Sequence, residues 1–173
     1  HLPTGAPTSP ILSNFVCLGL DQAIEQFCLL NEITYTRYAD DLTFSSHQQI
    51  GTNTILDIIN LIQDKGFKVN DKKVRITGRR GRQLVTGLVV NQKLNVDRRY
   101  IRDIRATIHH LRLNGLAAAT TKHFKLEKIA NDTQQLHFLR RLNAKIEFVG
   151  SVRGKYDTVY QNLKKGFAEE IRE

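Results

Sequence analysis

Apolar residues change their spacing several times along the 173-residue chain, and each change marks an element. After an opening loop rich in Pro, Gly and Thr, Ile11, Phe15, Leu18, Ala23, Phe27 and Leu30 recur at helical intervals. They predict a mostly buried helix reaching about residue 30. Ser9 is placed to cap it, and Pro10 to take its first position, where a missing N–H costs nothing. Over residues 33–46 the pattern becomes that of two strands: Thr34, Tyr35 and Thr36 on one side of a tight turn, Leu42, Thr43 and Phe44 on the other. Ile55, Ile58, Ile59 and Ile62 then mark one face of a second helix, capped by Thr52 or Asn53 and ended by Gly66. Short strands are expected at residues 68–70, 73–77 and 83–91, the last two joined by the turn Gly78-Arg79-Arg80-Gly81.

From Asp97 the pattern is almost continuously helical. Ile101, Ile104, Ile108 and Leu111 form an apolar stripe, while Arg98, Arg102, Arg105, His109 and Arg112 form a basic one. At 3.6 residues per turn the stripes are centred roughly 100° apart, so one face can pack while its neighbour stays in solvent. A Gly/Ala/Thr link at residues 114–121 leads to expected helices at 122–130 and 133–149. Gly150 and Gly154 then break the chain before a last helix, whose apolar positions are Tyr156, Val159 or Tyr160, Leu163, Phe167 and Ile171. The sum is an α+β chain: a helix packed on an antiparallel sheet in residues 1–96, then an all-helical part in residues 97–173.

Hydrophobic content of 40% supports a real core, and no stretch approaches the ~20 apolar residues needed to span a bilayer. Cys17 and Cys28 lie about three helical turns and roughly 16 Å apart, too far to bridge, and neither has a neighbour at zinc spacing. They read as buried thiols of a reducing compartment such as a cytoplasm. The chain lacks Met and begins at His1, so it is expected to be processed or to belong to something longer. Net charge of +9 is divided unevenly. Residues 1–64 hold one Lys or Arg, Arg37, against seven acids; residues 65–113 hold fourteen against three; the remainder holds eleven against seven. An acidic first third beside a strongly basic middle suggests a cation-holding site next to a surface that meets a polyanion such as nucleic acid.

The acidic part contains Tyr38-Ala39-Asp40-Asp41, with two adjacent carboxylates at the strand-to-strand turn. An Asp-Asp pair between apolar runs is commonly no more than a solvated turn. Here the flanking strand-formers hold it rigidly, and hard oxygen ligands at one spot are what a two-metal phosphoryl-transfer site requires. Arg79, Arg80 and Arg82 sit on a turn suited to phosphate contact, although a solvated hairpin tip explains them equally well. The basic stripe after Asp97 is either the wet side of an amphipathic helix or a track for a phosphate backbone.

Taken in order, these pieces resemble the reverse transcriptases of bacterial retrons and their group II intron relatives, over nearly the whole chain. Leu2-Pro3-Thr4-Gly5-Ala6-Pro7-Thr8-Ser9-Pro10 with the following Ile11-Leu12-Ser13-Asn14 is similar to the family's loop-and-helix motif bordering the nascent base pair. Tyr38-Ala39-Asp40-Asp41 matches its catalytic box. Gly66-Phe67 with Asn70 and Lys73 resembles the next palm motif, and Val85-Thr86-Gly87-Leu88 with Val90-Asn91 the strand element after it. The Val-Thr-Gly triplet favours retron enzymes over intron maturases. Thr4 stands where the family often has Gln, so an amide contact there is absent or replaced by the hydroxyl.

The resemblance implies a partial polymerase palm, residues 1–96, followed by a helical thumb, residues 97–173. It implies an RNA-directed DNA polymerase using Mg2+, with Asp40 and Asp41 as metal ligands and Lys73 either the proton donor to pyrophosphate or a solvated lysine. Gly5, Ala6, Pro7, Thr8 and Ser9 would shape the site for a deoxynucleoside triphosphate. Arg79, Arg80, Arg82, Arg98, Arg102, Arg105 and Arg112 would hold the duplex of RNA template and DNA primer. Val85, Thr86 and Gly87 would add selectivity for a cognate structured RNA. The family's first catalytic aspartate lies upstream of the loop motif, so the chain alone is expected to be an inactive, C-terminal part of a bacterial cytoplasmic enzyme. Antiviral defence, a role common around such enzymes, is carried by no residue of the chain. The competing expectations are a non-catalytic RNA-binding module on a polymerase scaffold and an intron maturase.

Overall fold

A computed structural model describes residues 5–171, beginning with helix α1 (Ser9–Leu30). Thr8, one residue earlier than expected, is its N-cap, and makes no side-chain capping bond. The buried stripe is Cys17, Leu20, Ile24 and Cys28. Expected core positions Ile11, Phe15, Leu18 and Leu30 are exposed instead, Phe15 at 69%. One hairpin and one helix can cover only one stripe of α1, and they settle on the Leu20–Ile24 side.

That hairpin is β1 (Thr34–Tyr38) paired antiparallel with β2 (Asp41–Ser45). Its register sets Tyr35 opposite Phe44 and Tyr38 opposite Asp41, leaving Ala39 and Asp40 as a two-residue turn. Helix α2 (Thr52–Asp64) follows, with Gly51 rather than Thr52 or Asn53 at its N-cap. Gly66, at φ 82°, ends it: its N–H donates to the Gln63 carbonyl and that of Phe67 to the Ile62 carbonyl. This pair of bonds satisfies carbonyls the helix end leaves open, in a conformation glycine adopts freely. Leu20, Ile24, Cys28, Ile33, Ile58 and Ile62 form the core of this unit, with Tyr35, Leu42 and Phe44 packed against it. Cys17 and Cys28 are buried and unbridged.

Residues 68–70 and 73–77 do not form the expected strands. Asn70 accepts a bond from the Lys72 N–H through its side chain and one from the Lys73 N–H through its carbonyl. This local pairing turns Asp71–Lys73 into a single 3-10 turn, and the following residues run irregularly. Asn commonly diverts a backbone in this way. The turn after them does form, with the Gly81 N–H donating to Gly78. The strand expected at 83–91 folds back on itself as β3 (Leu84–Val85) and β4 (Leu88–Val89). Thr86 and Gly87 between them have φ of 47° and 84°, the sign pattern of the type I′ turns that close two-residue hairpins.

The chain divides into two compact units at Gly81 and Arg82, earlier in sequence than the change of pattern near residues 95–97. The reason is that β3–β4 and the segment after it belong with the helices: Val89 bridges Asn95, and Val96 is buried in the helical core. Asp97 caps α3 (Arg98–Phe124) by accepting from the Arg99 N–H. The expected 114–121 link is a kink at Gly115 within this helix, and no separate helix occupies 122–130. Lys125, in a left-handed conformation, ends α3. Helix α4 (Asp132–Arg153) opens with a capping box between Asn131 and Gln134. It runs through Gly150, where a break was expected, and stops at Gly154. Helix α5 (Thr158–Glu169) is capped by Asp157; Tyr160, Leu163 and Phe167 are buried, whereas Tyr156 lies in solvent.

Ile101, Ile104, Ile108 and Leu111 of α3 pack with Phe138, Leu142, Ile146 and Val149 of α4 and with the buried face of α5. Each fully buried side chain of this kind contributes roughly 1.5–3 kcal/mol relative to its exposed state. Among the described residues no helix is long and apolar enough to cross a membrane.

Candidate active site and nucleic-acid surface

The hairpin presents Asp40 and Asp41 at its tip, both exposed. Ala39 has φ 52° and is the one central turn residue with positive φ, the sign pattern of a type II′ turn, where glycine is the default. Cross-strand pairing puts Asp41 on the same face as Tyr38, and Leu42 on the same face as Arg37. Alternation therefore sends Tyr35 and Arg37 to the α1 side and Tyr38 and Asp41 to the other.

On the α1 side, Arg37 donates from Nε to Asp21 Oδ1 at 2.8 Å and from Nη2 to Oδ2 at 2.6 Å. Its Nη1 reaches Asn14 Oδ1 at 3.2 Å and the Ala39 carbonyl at 3.1 Å. Tyr35 adds a bond from its hydroxyl to Asp21 Oδ1 at 2.7 Å. The Arg37 guanidinium beside it holds the Asp21 carboxyl below the usual carboxylate range, against the opposing effect of burial. Burial, reinforced by Asp21, pushes the Tyr35 hydroxyl up, and the bond to Asp21 raises Arg37 further still. Asp21 is thus a charged partner fully engaged with a buried guanidinium.

The donor set at the turn suits a divalent cation of the magnesium type. Among the described residues no third His, Cys, Asp or Glu joins Asp40 and Asp41 in a group that could hold a metal. One or two carboxylates, with water and substrate phosphates completing the shell, are how Mg2+ is usually bound at phosphoryl-transfer sites.

The other expected site residues lie as follows. Gly5, at φ 85°, and Ala6, Pro7 and Thr8 form the turn into α1, where the Ser9 N–H donates to the Ala6 carbonyl and that of Leu12 to Thr8. Leu2, Pro3 and Thr4 lie outside the described residues. Lys73 ends the 3-10 turn, exposed, and no bond or ion pair joins it to Asp40 or Asp41 among the described residues. Arg79 and Arg80 occupy the exposed turn closed by Gly78 and Gly81. Val85, Thr86 and Gly87 form the bend of the β3–β4 hairpin.

In the helical unit, Arg98, Arg102 and Arg105 lie along one exposed side of α3 and make no ion pair among the described residues. Of the other arginines expected to meet nucleic acid, two are engaged: Arg82 pairs with Asp97 at 2.9 Å, and Arg112 with Glu170 and Glu169 at 2.6 and 3.3 Å.

Sequence reasoning missed the Asp21–Arg37 pair. Its one signal was that Arg37 is the lone Lys or Arg in residues 1–64 and shares a strand face with Tyr35. It also missed an aromatic and cationic cluster where α3 meets α4. There the Phe124 and His137 rings stack at 5.5 Å, and the Arg141 guanidinium lies 5.7 Å from the Phe124 centroid. His123 packs edge-on against Phe124 and Phe138, and burial, with Lys145 and Arg141 adding to it, lowers its pKa from the ordinary 6.5.

Residues 1–139 match the family model described as "Reverse transcriptase (RNA-dependent DNA polymerase)", and the chain belongs to that family. Its fold is accordingly a partial polymerase palm built on α1, the hairpin and α2, followed by a helical thumb. Within the family it is similar to bacterial retron enzymes. It is 41% identical over 112 residues to the Retron Ec86 reverse transcriptase of Escherichia coli, a match covering 64% of this chain and 35% of that protein. It is 42% identical over 106 residues to the Retron Mx65 reverse transcriptase of Myxococcus xanthus, covering 61% of this chain and 25% of that protein. The Retron Mx162 enzyme of the same organism is 38% identical over 126 residues, covering 63% and 26%.

Proposed function

We propose that the protein carrying this chain is a retron-type, RNA-directed DNA polymerase that extends a DNA primer along an RNA template in the bacterial cytoplasm. The observation that carries the reading is the two-residue hairpin turn, which exposes Asp40 and Asp41 side by side on a ribbon anchored in the palm core. Asp40 and Asp41 would hold Mg2+, which activates the primer 3′-hydroxyl and stabilises the leaving pyrophosphate when bound. Ala39 keeps the turn small beside the primer end. Gly5 to Ser9 are assigned to the incoming deoxynucleoside triphosphate, whose phosphates favour a helix start. Lys73 is assigned to the pyrophosphate.

Residues 1–96 are assigned to the palm and 97–173 to the thumb. Arg98, Arg102 and Arg105 on the thumb, and Arg79, Arg80 and Arg82 before it, would contact duplex phosphates with little reading of sequence, since A-form duplexes are recognised mainly by shape and backbone. Val85, Thr86 and Gly87 are assigned to a cognate structured RNA. The test is primer extension by the complete gene product on an RNA template with deoxynucleotides and Mg2+. Template-dependent, chelator-sensitive incorporation supports the reading, and tight RNA binding with no incorporation on any template would overturn it.

A further inference from the structure

We infer that Asp21 and Arg37 are positioning residues for the Tyr38–Asp41 turn: a guanidinium locked onto α1 grips the turn's backbone while its charge is kept away from the two carboxylates. The inference rests on the metal-site reading of Asp40 and Asp41.

Three observations carry it. First, Arg37 spans two elements, bonding Asp21 and Asn14 of α1 on one side and the Ala39 carbonyl on the other. That carbonyl belongs to the peptide leading into Asp40, so fixing it orients the first carboxylate. Second, Ala39 occupies a left-handed conformation, φ 52°, that disfavours residues with a Cβ, so the turn needs an external hold to keep one geometry. Third, Arg37 is the lone Lys or Arg in residues 1–64, and its side chain is 9% exposed beside the protein's acidic turn. A guanidinium released from Asp21 would keep its reach to the turn backbone at Ala39, one residue from the Asp40 carboxylate, and would compete with a cation there. Both oxygens of Asp21 occupy it instead, in the planar fork geometry that Lys cannot reproduce. Tyr35 holds Asp21 in that orientation from the same strand face.

The two roles separate by mutation of the complete gene product. In Arg37→Lys the charge pair survives but the grip on Ala39 is lost. Amide exchange of the peptide covering residues 38–42 should accelerate, and kcat for nucleotide incorporation should fall more than KM changes, while Mn2+ binding measured by electron paramagnetic resonance stays within about twofold of wild type. In Asp21→Asn the guanidinium is freed, and Mn2+ binding should weaken by about fivefold or more as it competes for the Asp40 carboxylate. The double variant Asp21→Asn with Arg37→Gln removes both charges and should recover Mn2+ binding while exchange at the turn remains fast. Unchanged exchange in Arg37→Lys would overturn the grip, and a double variant binding Mn2+ no better than Asp21→Asn would overturn the charge-sequestering role. Asp40→Asn in the same Mn2+ titration tests the underlying site separately: if it binds as wild type does, the metal-site reading fails whatever the Asp21 and Arg37 variants do.

Discussion

Arg112 donates from Nε to Glu170 Oε1 at 2.6 Å and from Nη2 to Glu169 Oε2 at 3.3 Å, so one end of the basic stripe on α3 is already occupied by carboxylates from the end of α5 and the residue beyond it. Arg102 and Arg105 carry no such partner among the described residues. Arg112→Ala should therefore weaken binding of an RNA–DNA duplex less than Arg102→Ala or Arg105→Ala does. Each of the latter should lower the slope of log affinity against log salt by about one phosphate contact. Glu169→Gln with Glu170→Gln should release Arg112 and strengthen binding. Filter binding over a salt series measures all four; equal losses at the three arginines would remove Arg112's special status.

Gly150 lies under the ring of Tyr160, and a Cβ placed there would fall 2.6 Å from Tyr160 Cε2. Tyr160 cannot swing aside cheaply, because it is buried and its hydroxyl bonds Glu147 at 2.9 Å. Gly150→Ala should cost on the order of 1–3 kcal/mol through overpacking between α4 and α5, read as a lower urea midpoint. Because Ala gains roughly 1 kcal/mol over Gly in a helix interior, a midpoint above wild type by that amount would show that the two helices part without penalty.

Arg153, with the Tyr160 and Val159 N–H groups, pushes the Asp157 carboxyl down to about 2 from an ordinary 3.8. A carboxyl whose folded pKa lies below its unfolded one adds stability that is complete above the unfolded value and is lost as pH falls through the folded one. The stability difference between wild type and Asp157→Asn should thus be constant near neutrality and shrink from about pH 4 to about pH 2. Urea midpoints at a series of pH values check this, and a difference independent of pH would contradict it.

The helical stripe Ile101, Ile104, Ile108 and Leu111 was legible from spacing because the helices that cover it lie within the same chain. The hairpin was legible because alternation and a tight turn agree. The buried face of α1 was not: apolar residues ring that helix, and only the docking of the hairpin and α2 selects Leu20 and Ile24 over Phe15 and Leu18. The turn at Asp71–Lys73, where the expected strand was to begin, rests on a bond two residues long, from the Lys72 N–H to the Asn70 side-chain oxygen, which periodicity does not register. At the site, the carboxylate pair stood in the sequence, but its support did not. Asp21 and Arg37 are joined by folding a helix onto a strand, and neither has a motif of its own.

Asp40→Asn in the complete gene product, assayed in parallel for primer extension on an RNA template and for RNA binding, is the most direct measurement of the carboxylate turn's role. Removing one charge from the proposed metal ligands while leaving every arginine in place should abolish extension, a loss of at least about a thousandfold, with RNA affinity within about twofold of wild type. Extension at the wild-type rate by the Asp40→Asn protein would contradict the assignment of this turn as the catalytic centre.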